Sequence, residues 1–205
     1  FDKTQAGLLL LIYFVAALAG APLWPILARR IGKHQALAVA SVLYAIVQIC
    51  AVLTPAGNSW AGMAILVLAG IPYAAAPLLV RAMMADIGDE ERLASGADRT
   101  GLLYAIVNGT VKLGHACAIG AFPLLALFGF DPKLPTATGE TALIALYAVV
   151  PAAMGLVVAA VMLRYPLDAT RVAEIQRQLA ARDAAAPSPN QPEPDPNVAL
   201  AAPAE

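Results

Sequence analysis

Apolar positions in this chain come in long unbroken runs, not in strand-like alternation or in single amphipathic stripes. Five runs are long enough to cross a bilayer: Leu8–Ala28, Ala36–Thr54, Ala61–Val80, Leu102–Phe128 and Ala142–Leu163. Each has 19 to 27 residues, where about 20 are needed to cover ~30 Å of hydrocarbon. In lipid such runs must be helical, because open strands would leave backbone groups unpaired. The pattern predicts an all-α membrane protein with five transmembrane helices.

Residues between the runs set the orientation. One side receives Arg29, Arg30, Lys33, Arg81, Arg92, Arg99, Arg164, Arg171, Arg177 and Arg182; the other receives only Lys3 and Lys133. That asymmetry makes the richer side cytoplasmic and puts the C-terminus inside. The expected location is a cell membrane, inner or plasma. Arg81–Gly101 reads as a long charged cytoplasmic connection, Thr54–Trp60 and Gly129–Thr141 as outer loops. The bundle is expected over residues 1–167. A cytoplasmic amphipathic helix follows over 168–182, capped by Asp168 and striped by Val172, Ile175 and Leu179. The Pro/Ala-rich stretch 183–205 has no periodicity and reads as disordered.

Composition sharpens this picture. The chain is 60% hydrophobic and 13% charged, where a soluble domain averages about 25% charged. Its net charge of −1 excludes the basic footprint of a nucleic-acid binder. Cys50 and Cys117 both lie inside apolar runs, make no disulfide framework or metal spacing, and are expected to pack. The chain opens on Phe1-Asp2-Lys3 without an initiator Met or signal peptide, as an internal segment would. An odd number of spans starting outside again suggests a truncated chain.

Lys112 is the one formal charge inside the runs. It lies about 16 Å along the helix from Gly101 and too deep to snorkel, at an insertion cost of about 2.5–3.5 kcal/mol. Such a residue points to function and to a partner from elsewhere. Tyr104, Asn108, Lys112 and His115 fall at i, i+4, i+8 and i+11, so they share one helix stripe, as a substrate path requires. The alternative is a helix contact held by polar side chains. Gly109, Gly114 and Gly120 on the same run are expected to pack closely. Pro72 and Pro77 loosen the third run beside Tyr73, which suits a flexible wall with an aromatic surface. Asp86, Asp89, Glu90 and Glu91 lie just inside the membrane and are expected to pair with Arg81, Arg92 and Arg99. Arg81, Asp86, Asp89 and Arg99 are the candidate cytoplasmic latch. No nucleophile, metal ligand or cofactor loop accompanies these acids, so no enzyme chemistry, metal or cofactor is expected.

The order of RRIGK, MMADIGDEE, Arg99, VKLG and LRYPLD over Gly7–Arg182 resembles the glycoside–pentoside–hexuronide:cation symporters. These are the melibiose-carrier-like branch of the major facilitator superfamily. The resemblance implies that the five spans correspond to helices eight to twelve of a twelve-helix carrier, the N-terminal helices being missing partners. It implies cation-coupled symport of a sugar or related solute, with Na⁺ or H⁺ as coupling ion. Lys112 then borders the sugar and cation sites and Asn108 matches a sugar-site position; Tyr73, from the loosened third run, and His115, from the polar stripe, complete the candidate substrate residues. Three positions depart from the pattern: Pro77 replaces a tryptophan near the sugar, Thr100 replaces a glutamate, and Glu90 replaces a tyrosine. A lipid or amphiphile carrier of the same fold and a non-transporting structural partner are the alternatives.

Overall fold

The computed structural model describes residues 3–54, 59–131 and 136–185. Every regular element among them is helical. The structure is an all-α bundle with four helices able to cross a membrane, or five when a bent pair is counted as one span. The expected disordered stretch 183–205 lies from 186 onward outside the described residues, and Asp183–Ala185 belong to a helix.

The bent pair comes first. Helices α1 (Lys3–Gly20) and α2 (Leu23–Ile31) meet at about 40° around Ala21 and Pro22. Pro25 sits in the first turn of α2, where its missing N–H would have had no helical partner. Arg29 and Arg30 complement the carboxyl end of α2. Gly32 then turns the chain at φ 94°, a conformation that a Cβ would strain, and its N–H caps Ala28 O at 2.9 Å. Helix α3 (Lys33–Leu53) begins at the next residue.

Helices α4 (Ser59–Tyr73) and α5 (Ala75–Ser95) form one long rod with a single break at Ala74, between Pro72 and Pro77. The buried Trp24 indole donates to Ile71 O beside that break, at 2.9 Å. The expected connection 81–101 is therefore mostly helix. Its charges read as a loop in sequence, but beyond the hydrocarbon a helix carries charge on its wet faces at little cost. Gly96, at φ 77°, ends it.

Helices α6 (Thr100–Ile119) and α7 (Ala121–Leu127) follow on the next span. The last span joins α8 (Ala137–Ile144), a π-helical stretch at Ala145–Val149, and α9 (Val150–Met162). Helix α10 (Ala169–Ala185) completes the described chain, with Asp168 accepting from the Arg171 N–H at 2.8 Å.

Small residues let the helices approach. A Cβ on Gly70 of α4 would fall 2.4 Å from Tyr13 O of α1, and one on Gly155 of α9 would fall 2.9 Å from Ser41 O of α3. Lipid offers no hydrophobic drive between spans, so close contact of this kind is what holds them. The main core gathers Trp24, Leu37, Leu79 and Met83 at the inner end of α2, α3 and α5. Leu167, Ile175 and Leu179 form a second cluster where α10 packs on Ile87 and Leu93 of α5. Helix α6 stands apart: none of its described residues is buried, whereas α3 buries seven.

Candidate functional site

A cavity of about 610 Å³ opens between α3, the α4–α5 rod, α6 and α9. The rod contributes Pro72, Tyr73, Pro77 and Arg81; α3 contributes Ser41 and Tyr44; α6 contributes Asn108 and Val111; and α9 contributes Pro151 and Gly155. The loosened part of the rod is thus a cavity wall. Packing of α1 on α4 positions Tyr73, whose ring lies 5.3 Å from Tyr13 and 6.4 Å from Phe14. Tyr44, Tyr73 and Tyr147 all lie within Coulombic range of Tyr13, so four elements bring tyrosines to one region. Most of the remaining lining is aliphatic, and no carboxylate lines the space.

Of the expected substrate residues, Tyr73 and Asn108 both line this cavity, whereas Lys112 and His115 do not. Both are exposed on the unburied part of α6, one and nearly two turns beyond Asn108. Tyr104, at the other end of the stripe, donates its hydroxyl to Arg81 O at 2.9 Å and ties α6 to α5. The stripe shares a helix face, but the cavity covers only part of its length. Gly109 and Gly114 meet nothing within 4 Å, and Cys50 and Cys117 are exposed, so none of the four packs as expected within this bundle. For α6 the reason is plain: it touches chiefly α5 along one end.

The cytoplasmic charges also pair otherwise than expected. Asp86, 5% exposed, is held by Lys33 Nζ at 2.6 and 2.7 Å, so its partner is the turn between α2 and α3. Arg99 pairs with Glu91 at 3.2 Å, and Arg92 with Asp183 of α10 at 2.9 Å. Arg81 and Asp89 make no ion pair among the described residues. The physical reason is helical: five residues turn the face by about 140°, so Asp86 points into the core while Arg81 points to the cavity. The Tyr165 hydroxyl is buried next to this cluster without a hydrogen-bond partner among the described residues, and burial, with the charges of Asp86 and Glu90, pushes its pKa up. Among the described residues no group of His, Cys, Asp and Glu side chains converges as a metal site.

Three participants escaped the sequence reading. Tyr44 and Ser41 are single polar residues in an apolar run. Gln48, buried on α3, donates to Tyr147 O of the π-helical stretch at 3.1 Å. A π-turn misaligns the carbonyl ladder, and the amide supplies a donor there. An amide inside a span was the available signal for Gln48.

A family model described as MFS/sugar transport protein matches residues 2–169. A comparison with the curated proteins gave no match.

Proposed function

Because the chain belongs to the MFS/sugar transport protein family, a family of membrane transporters and not of enzymes, we propose that it carries a sugar or related small solute by cation-coupled symport. The observation that supports this most directly is the cavity between helices that Tyr73 and Asn108 both line. An aromatic face and an amide suit a ring bearing hydroxyls, since the ring's C–H face packs on the phenol while the amide donates and accepts. The prolines around it suit a site whose walls must rock during alternating access.

Lys112 and His115 continue the path beyond the cavity. An exposed lysine at that depth on a nearly unburied helix calls for company. We assign that company to further helices of the carrier, packed on the α6 face and supplying carboxylates. There the ammonium and a bound Na⁺ or H⁺ would compete for the same anions, which links ion binding to solute binding. The order of RRIGK, MMADIGDEE, VKLG and LRYPLD, which resembles the melibiose-type symporters, supports this reading. The ten-to-two distribution of basic residues supports a cytoplasmic C-terminus. Arg99, Asp89 and the Lys33–Asp86 pair supply the charges for a cytoplasmic latch.

The test is ion-driven uptake by the full-length carrier in proteoliposomes, with and without Lys112→Ala. Normal insertion with lost accumulation or altered ion dependence supports the reading; unchanged coupled uptake refutes the role of Lys112. The aliphatic lining favours a second reading, an amphiphile carrier of the same fold. Transport of a lysolipid in place of any sugar would select it.

A further inference from the structure

We propose that Arg81 is the anion-recognition residue of the cavity, so that the solute carries a carboxylate or phosphate at its cytoplasmic end. This deepens the transport reading above and rests on it. Three observations converge. Arg81 lines the cavity, and none of the residues that line it with Arg81 is acidic. Its guanidinium, like those of Arg29, Arg30, Arg164, Arg171 and Arg182, has no carboxylate among the described residues, and of these six Arg81 lines the cavity. Asp86, the next acid along its helix, lies on another face and is taken by Lys33.

The backbone beneath the guanidinium is fixed. The Tyr104 hydroxyl holds Arg81 O, so α5 and α6 cannot slide past each other there without breaking that bond. Tyr73 lies eight residues earlier on the same rod, about 12 Å along its axis. An arginine side chain extended toward it leaves room between phenol and guanidinium for one ring with an acidic substituent. The Tyr44 and Tyr73 side chains receive the ring, Asn108 its neutral polar groups, and the guanidinium fork the acid in bidentate geometry. An arginine that only marked the membrane boundary would have no need to line a cavity free of acids.

The same anion could sit on a sugar or on a lipid, and the experiment separates them. Binding to the purified full-length carrier would be measured for 4-nitrophenyl glucuronide, 4-nitrophenyl glucoside and lysophosphatidylglycerol. The first two differ only in one carboxylate. The expected result is a preference for the glucuronide of about 10- to 100-fold, the usual worth of a charge-assisted pair. Arg81→Gln removes that preference, so that the two glycosides bind alike, and Arg81→Lys keeps part of it. The lysine variant also guards against a folding defect. Equal affinity for the two glycosides, or a preference that survives Arg81→Gln, overturns the proposal and leaves the transport reading standing. Binding of the lysolipid alone, lost in Arg81→Gln, upholds the anion site and replaces the sugar body with a lipid. Binding of none of the three overturns the transport reading at this cavity, and the anion site with it.

Discussion

Lys33 and Asp86 should respond unequally to mutation, although each is the other's partner. The Asp86 side chain is 6% exposed and the Lys33 side chain 37%. Removing one member of a buried pair costs about 3–5 kcal/mol when the other is left charged and dry. Lys33→Ala creates that situation for Asp86. Asp86→Asn does not, because the ammonium can turn to water and the new amide oxygen still accepts from it; the cost falls to about 1 kcal/mol, near the surface-pair range. The two variants should therefore differ by about 2–4 kcal/mol, with Lys33→Ala the less stable. The double variant Lys33→Met/Asp86→Leu should recover most of the loss, since an apolar pair of similar volume leaves no charge behind. Denaturant titration of the detergent-solubilised carrier, read by fluorescence of the buried Trp24, measures all three. Equal losses for the two single variants, or a double variant as unstable as Lys33→Ala, would mean that Asp86 is hydrated and the reasoning wrong.

Other outcomes follow from single contacts. Gly70→Ala should destabilise by about 1–3 kcal/mol, because the new methyl meets a backbone oxygen of α1; thermal unfolding that matches the unsubstituted protein would refute the close α1–α4 packing. Gln48→Leu should cost about 0.6–1.7 kcal/mol, the range for a hydrogen bond between spans, read by the same denaturant titration. The Arg171 N–H and the Thr170 hydroxyl hold the Asp168 carboxyl below its usual value of 3.8, so this cap is present above that pH and is lost as pH falls through the lower folded value. A spin label at Ala169→Cys should gain mobility as pH falls through that lowered value, and Asp168→Asn, which caps without ionising, should abolish that dependence. A cysteine at Ser95 should react from the cytoplasmic side and one at Gly129 from the other; the reverse pattern would invert the topology.

The helical fold was legible because hydrocarbon imposes it: an apolar run of sufficient length has one way to satisfy its backbone. The end of the third run was not legible as a helix end. Charge begins at Arg81, yet hydrogen bonding continues to Ser95, since leaving the hydrocarbon changes which side chains are cheap without changing the helix. Half of the expected substrate residues meet at the cavity, because helical spacing reports a shared face and not the depth at which neighbours end. Asn108, itself exposed, lines the cavity, whereas Lys112, one turn further along α6, does not. The Lys33–Asp86 pair joins residues 53 apart, so no local pattern could have named it. Tyr44 and Gln48 were hidden differently, as uncharged polar groups that barely disturb an apolar run.

The rod from Trp60 to Ser95 has a mechanical corollary. From its break at Ala74 to Ser95 it measures about 32 Å, a lever pivoting at the cavity wall. A tilt of about 10° at the pivot, well within the range of proline kinks, would sweep the far end through about 5–6 Å. That end is where Arg92 grips Asp183 and Arg182 reaches the Arg92 carbonyl, so the load falls on α10. A sub-ångström adjustment around a ring held at Tyr73 would thus arrive at the cytoplasmic surface magnified roughly tenfold in displacement, as a pointer magnifies the movement of its spindle.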